Sequence, residues 1–122
     1  MIRATTPKHV FAFETDPSEF SRILVTYGQD GYVVLEKDQD DMTFETITDT
    51  DTGETEYLAW YRLSQEETLR FQPEQGLPYC HNKEKHSKVL VQIRVLTPSG
   101  EALASEQFPV SVFDVQNPEV LE

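Results

Sequence analysis

Apolar and polar positions alternate along most of this chain. In RILVTYGQ (22–29), Ile23, Val25 and Tyr27 alternate with Arg22, Leu24 and Thr26. A period of two with β-branched residues predicts a strand. QDG (29–31) follows, and Asp-Gly supplies the positive φ angles of a tight hairpin, so YVVLEK (32–37) is the return strand. HVFAF (9–13) and MTFETIT (42–48) read as further strands, as does YLAWYRL (57–63). Within the last, Tyr61 is expected to join Ala59 and Leu63 on the core face, which turns Trp60 outward. KVLVQIRVL (88–96) places Val89, Val91, Ile93 and Val95 on one face. ALASEQFPVSVFDV (102–115) is a long or broken strand, and Pro109, which cannot donate to a ladder, marks an edge or a bulge.

SQEETLRF (64–71) changes character. Ser64 followed by Glu67 has capping-box spacing, so a short helical turn is expected near 64–70. TDPSE (15–19) and TPSGE (97–101) read as turns. Residues 72–87 show no period and form the longest irregular segment. The elements predict one all-β domain over 1–122, an immunoglobulin-like β-sandwich of about seven to eight antiparallel strands. A closed β-barrel is the alternative architecture. Residues 114–122 are expected to leave the fold as an extended tail.

Composition narrows the function classes. With 122 residues, including seven Phe, five Tyr and one Trp, the chain suits a single packed core. Ten basic against 22 acidic residues give a net charge of −12. That field repels phosphate backbones and anionic lipid heads, so neither nucleic acid nor membrane is expected as a partner. HNKEKHSK (81–88) carries a glutamate and no aromatic, and reads as a solvated loop. Cys80 is the only cysteine, and no signal-like or membrane-spanning apolar run occurs, so synthesis in the cytoplasm and solubility are expected.

Two segments raise the question of metal. In ITDTDTGETEY (47–57), Asp49, Asp51, Glu54 and Glu56 suggest a calcium loop. Counted from Asp49, however, Gly53 falls at the fifth position, Glu54 at the sixth and Trp60 at the twelfth. An EF-hand needs a carboxylate, a glycine and a bidentate Glu there. A hairpin turn with Gly53 at the unusual backbone angle and Asp51 bonding nearby backbone fits instead. Cation binding between the acidic loops 38–41 and 49–56 is the weaker reading. Cys80, His81 and His86 fall short of a four-ligand zinc set. No catalytic or cofactor motif is present, so no catalytic residue, metal or cofactor is assigned.

The segments TTPKHVFAF, ILVTYGQDGYVVLEK, LSQEETLRF, VQIRVLTPSGEALAS and DVQNPEVLE, in that order and spacing, resemble a set of small uncharacterised phage and prophage proteins. These come from Gram-positive, Clostridia-like bacteria and are encoded in the structural-gene region. Against that pattern the 49–56 turn is lengthened and 72–87 reads as an insertion. The resemblance implies a structural or accessory virion component near the tail or baseplate, acting through a protein partner or as a homo-oligomer. It transfers no site residue.

Two functions follow from different classes. The first is a non-catalytic interaction module, with Val120 and Leu121 of the tail and the edge around EALASEQFPVSV (101–112) as contact candidates. The second is a carbohydrate- or host-surface-binding module, with Trp60, Tyr79 or Tyr32 as an exposed aromatic platform. A small enzyme ranks last.

Overall fold

The computed structural model describes residues 1–74 and 86–122. Eight strands are present among them: β1 (Lys8–Phe13), β2 (Arg22–Gln29), β3 (Tyr32–Asp38), β4 (Thr43–Thr48), β5 (Thr55–Arg62), β6 (Val89–Leu96), β7 (Ala102–Ala104) and β8 (Phe108–Val110). One short helix, α1 (Gln65–Leu69), follows β5. Ser64 and Glu67 close the expected capping box, each side chain accepting from the other's backbone N–H.

Turn chemistry sets the hairpins. Asp30 (φ 54°) and Gly31 (φ 83°) are the two central residues between the paired Gln29 and Tyr32, the backbone of a type I′ turn. At the β4–β5 turn the Asp49 carboxylate accepts from the N–H of Asp51 at 2.8 Å, and Gly53 adopts φ 74°. Asp49, not Asp51, is therefore the residue that bonds the backbone. The hairpin reading of this stretch holds.

The strands form two antiparallel sheets, ordered β1-β5-β4 and β3-β2-β6-β7, with β8 also on β6. β7 and β8 are two pieces of one broken edge, pairing with different ends of β6. The expected two-sheet sandwich is present. Its order is its own, since β2 lies beside β3 and β6, whereas an immunoglobulin domain places its second strand beside the first and fifth. Facing side chains of both sheets make the core: Val25 and Tyr27 on β2, Leu35 on β3, Ala59 and Tyr61 on β5, Val89 and Val91 on β6. Leu63, Phe71 and Val112 complete it from the connections. A bulge between Tyr27 and Gly28 inserts Val34 into β3, so Val34 and Leu35 both pack inward.

Two polar ties fix the periphery. The buried Gln29 amide donates to Gln72 O (2.8 Å) and Ser87 O (2.9 Å), and its carbonyl accepts from Gln72 N–H (2.7 Å). One side chain thus holds Gln72 and Ser87 together at the β2–β3 turn. The C-terminal residues do not leave the fold. Arg3 pairs with Asp114 at 2.8 Å, and the Gln65 side chain bonds both the N–H (2.7 Å) and the C=O (2.8 Å) of Leu121. The tail therefore lies back on α1.

Gln29→Ala leaves the Gln72 amide and two carbonyls unpaired. It is expected to cost about 1–3 kcal/mol in urea unfolding and to speed hydrogen exchange at the Gln72 N–H.

Candidate functional site

The two sheets are unequal, and this creates the most distinctive surface. One has three strands; the other has four strand positions, the last shared by β7 and β8. Register puts Phe108 opposite Val91 and Leu103 opposite Val95, on the core-facing side of the larger sheet. Both are nonetheless 48% exposed. Among the described residues, no strand of the smaller sheet lies over them. The result is an apolar groove of about 440 Å³, walled by the edge of β1 (Lys8, Val10, Ala12) and floored by Val91, Ile93, Phe108 and Val110. It continues past Phe13 over Val95 and Leu103. Among the described residues no carboxylate lines either part, in a chain of net charge −12.

Among the described residues, the backbone of β1 has no partner on this side. Leu63 N–H donates to Pro7 O at 3.0 Å, and β1 runs antiparallel to β5 with Lys8 opposite Arg62. Backbone groups of an antiparallel strand alternate in direction. His9, Phe11 and Phe13 therefore bond β5, while Lys8, Val10 and Ala12 point their N–H and C=O groups into the groove.

Beneath this edge runs a polar chain. The Nδ1 of His9 is 2.6 Å from the Tyr27 hydroxyl, which is in close hydrogen-bond contact with the Tyr61 hydroxyl. Burial raises both phenols well above their usual value, the Tyr61–Tyr27 hydrogen bond partly offsetting this at Tyr27. Burial, and then the N-terminal charge, lowers His9. A neutral His9 and two protonated phenols give one direction that uses both hydroxyl donors: Tyr61 donates to Tyr27, and Tyr27 donates to Nδ1. Lys37 and Glu67 pair at 2.5 Å close by, with Lys37 Nζ 5.9 Å from the Tyr61 ring centre. Burial alone would raise Glu67, but Lys37 and the Ser64 N–H hold it below its ordinary value. The three side chains tie β1, β2 and β5 together.

The residues singled out from the sequence lie apart. Trp60 does point outward, on the outer face of the smaller sheet and in a row with Val10 and Thr43. It is half-buried, with Lys8 Nζ 4.0 Å from its ring centre and its Nε1–H donating to Glu45 at 3.1 Å. Tyr32 stands 77% exposed beside a depression of about 270 Å³ that includes Gly28, Gln92 and Gln107. Val120 is half-buried; Leu121 is 74% exposed but its backbone is held by Gln65. Tyr79, Cys80 and His81 lie outside the described residues. His86 Nδ1 is 2.7 Å from Asp30, whose carboxyl is held down by the Ser87 N–H first and His86 next. In the acidic loops, Asp38 and Asp41 cap a 3₁₀ turn over Gln39–Asp41. The edge expected around 101–112 is real but broken, while the uninterrupted β1 edge and the groove were missed. Aromatic and β-branched residues made β1 recognisable as a strand, but no local signal gives its lack of a neighbour.

No protein-family model matches the chain, and no curated protein matches it in sequence.

Two outcomes test the polar chain. Tyr27→Phe leaves the buried Tyr61 hydroxyl without its acceptor and is expected to cost about 1–3 kcal/mol in urea unfolding. His9, with a folded pKa below 6.5, makes the unfolded chain bind more protons beneath that pH. Stability is therefore full above about pH 6.5, falls as pH drops below it and flattens under the folded value. Urea midpoints at pH 5 and 7.5 should differ less in His9→Gln than in the native chain. Asp30 and Glu67, both held below their ordinary values, add their own loss only at lower pH.

Proposed function

We propose that this chain is a non-catalytic interaction module, a structural or accessory component of a phage particle that acts through protein–protein contacts. The observation that carries the reading is the uncovered apolar groove beside the free edge of β1. Leu103 and Phe108 face the core side of their sheet yet remain 48% exposed, which is surface that a partner covers at little desolvation cost. A continuous apolar strip on an acidic chain is the usual mark of a protein contact. The resemblance to small phage proteins supplies the setting, near the tail or baseplate. Self-association and a second virion protein are both compatible with such a contact.

The carbohydrate- or host-surface-binding reading has its own supporting feature. Tyr32 projects beside a depression that carries Gln92 and Gln107, an aromatic face with amides next to it. Trp60 lends it less, because Lys8 already lies over the ring and Glu45 takes the indole N–H.

A photo-reactive side chain at position 103, in cells producing the particle, separates the two. The interaction reading expects a covalent product with a particle protein, lost in Phe108→Asp. Absence of that product, with sedimentation of the chain on purified host cell walls that Tyr32→Ala abolishes, overturns it in favour of the sugar reading.

A further inference from the structure

We infer that the groove takes one extended segment of another polypeptide, added antiparallel to β1 as the missing fourth strand of the smaller sheet. This deepens the interaction reading and rests on it. Both the shape and the backbone chemistry point to a strand. Lys8, Val10 and Ala12 present three N–H and three C=O groups along one line, and only an extended chain satisfies such a row. The floor beneath is apolar along the whole of β1, from Val110 and Val91 to Leu103 and Val95. A strand seated there places alternate side chains on that floor and the others on the outer face, level with Val10 and Trp60.

The other edges are closed to such pairing. β3 is bulged at Val34 and carries Glu36, Lys37 and Asp38. β7 and β8 are three-residue pieces, and Pro109 interrupts the second. β4 is flanked by Asp38–Asp41 on one side and Asp49 and Asp51 on the other, so an incoming chain meets acid at both ends. β1 has no internal proline and no bulge, and among the described residues neither Lys8 nor Glu14 at its ends makes an ion pair. Bulges, proline and acidic flanks are protective devices that edge strands commonly carry; β1 is an unbroken six-residue strand whose one charged residue is Lys8.

The occupant is a single segment rather than the β1 edge of a second copy. Two-fold antiparallel pairing of β1 with itself would place the β7–β8 lip of each copy in the layer already filled by the other's. Charge selects further. The described lining has no carboxylate, and Lys8 stands at one end on the outer face. A segment running antiparallel to β1 brings its C-terminal end to Lys8, so an acidic residue belongs there, with apolar residues at alternate positions before it.

The capped peptide acetyl-Val-Thr-Val-Thr-Val-Glu-amide is the probe. In that register its valines face the floor opposite His9, Phe11 and Phe13, and its glutamate faces Lys8. Amide hydrogen exchange by NMR at millimolar peptide is expected to slow severalfold at Lys8, Val10 and Ala12. His9, Phe11 and Phe13, already bonded to β5, stay unchanged. Phe108→Asp should abolish the effect; Leu103→Asp is the second variant if the first fails to fold. Lysine in place of the peptide's glutamate should weaken binding by roughly two- to fivefold, as expected of a surface ion pair. No protection of the three amides, or protection at Phe44 and Thr46 of β4 instead, overturns the inference. Protection that appears in the protein alone as its concentration rises also overturns it, since the occupant is then a second copy. A cross-link from position 103 without strand protection leaves the interaction module standing and removes only the strand.

Discussion

The hydrogen bond between the Tyr27 and Tyr61 hydroxyls joins the two sheets at their centre. Tyr27 belongs to β2 and Tyr61 to β5, the two inner strands of their sheets, and both side chains are enclosed. A buried hydroxyl without a partner is costly, so the sheets must stack with these two rings in register. His9 extends the same tie to β1, and Phe71 packs on the Tyr27 ring at 5.7 Å. Fixing β5 over β2 in this way fixes where β1 ends relative to β6, and hence which part of the larger sheet is left bare.

The uncovered strip is thus a consequence of strand number and stacking together. With β5 placed over β2 by the hydroxyl bridge, the β7–β8 side of the larger sheet is left bare among the described residues. On the opposite side the smaller sheet projects instead: all six residues of β4 are exposed, including Phe44 and Ile47. That edge remains in solvent under a screen of acids. The two sides therefore differ in character, one acidic and polar, the other an apolar groove whose described lining holds no carboxylate. An acidic protein of this kind resists non-specific association everywhere except where its charge is interrupted.

Polar ties, rather than apolar packing, organise the loops. Gln29 and Asp30 gather Gln72 and Ser87 at one hairpin, and Gln65 draws the C-terminal residues onto α1. Each uses an amide or carboxylate that reads, in the sequence, like any other polar residue of a turn or a helix start. Their partners are 43 to 58 residues away along the chain. The tail accordingly looked like a free end, although its backbone is held.

Local chemistry determined a good deal by itself. The period of two identified β2, β4 and β6, because a half-buried strand must alternate whatever it packs against, and the Asp-Gly turn made β3 the return strand of β2. Asp30-Gly31 and Gly53 set the two hairpins, since few residues adopt those backbone angles, and Ser64 with Glu67 set the start of α1. The side of Trp60 followed from its neighbours Ala59 and Tyr61. The inserted residue at Val34 did not, because a bulge depends on the partner strand's register. Nor did the edges. Whether a strand has a neighbour on both sides is a property of sheet order, and β1 and β6 look equally interior in sequence. Only the tertiary structure made β1 an edge, laid bare Leu103 and Phe108 beside it, and turned the amides of Lys8, Val10 and Ala12 away from β5.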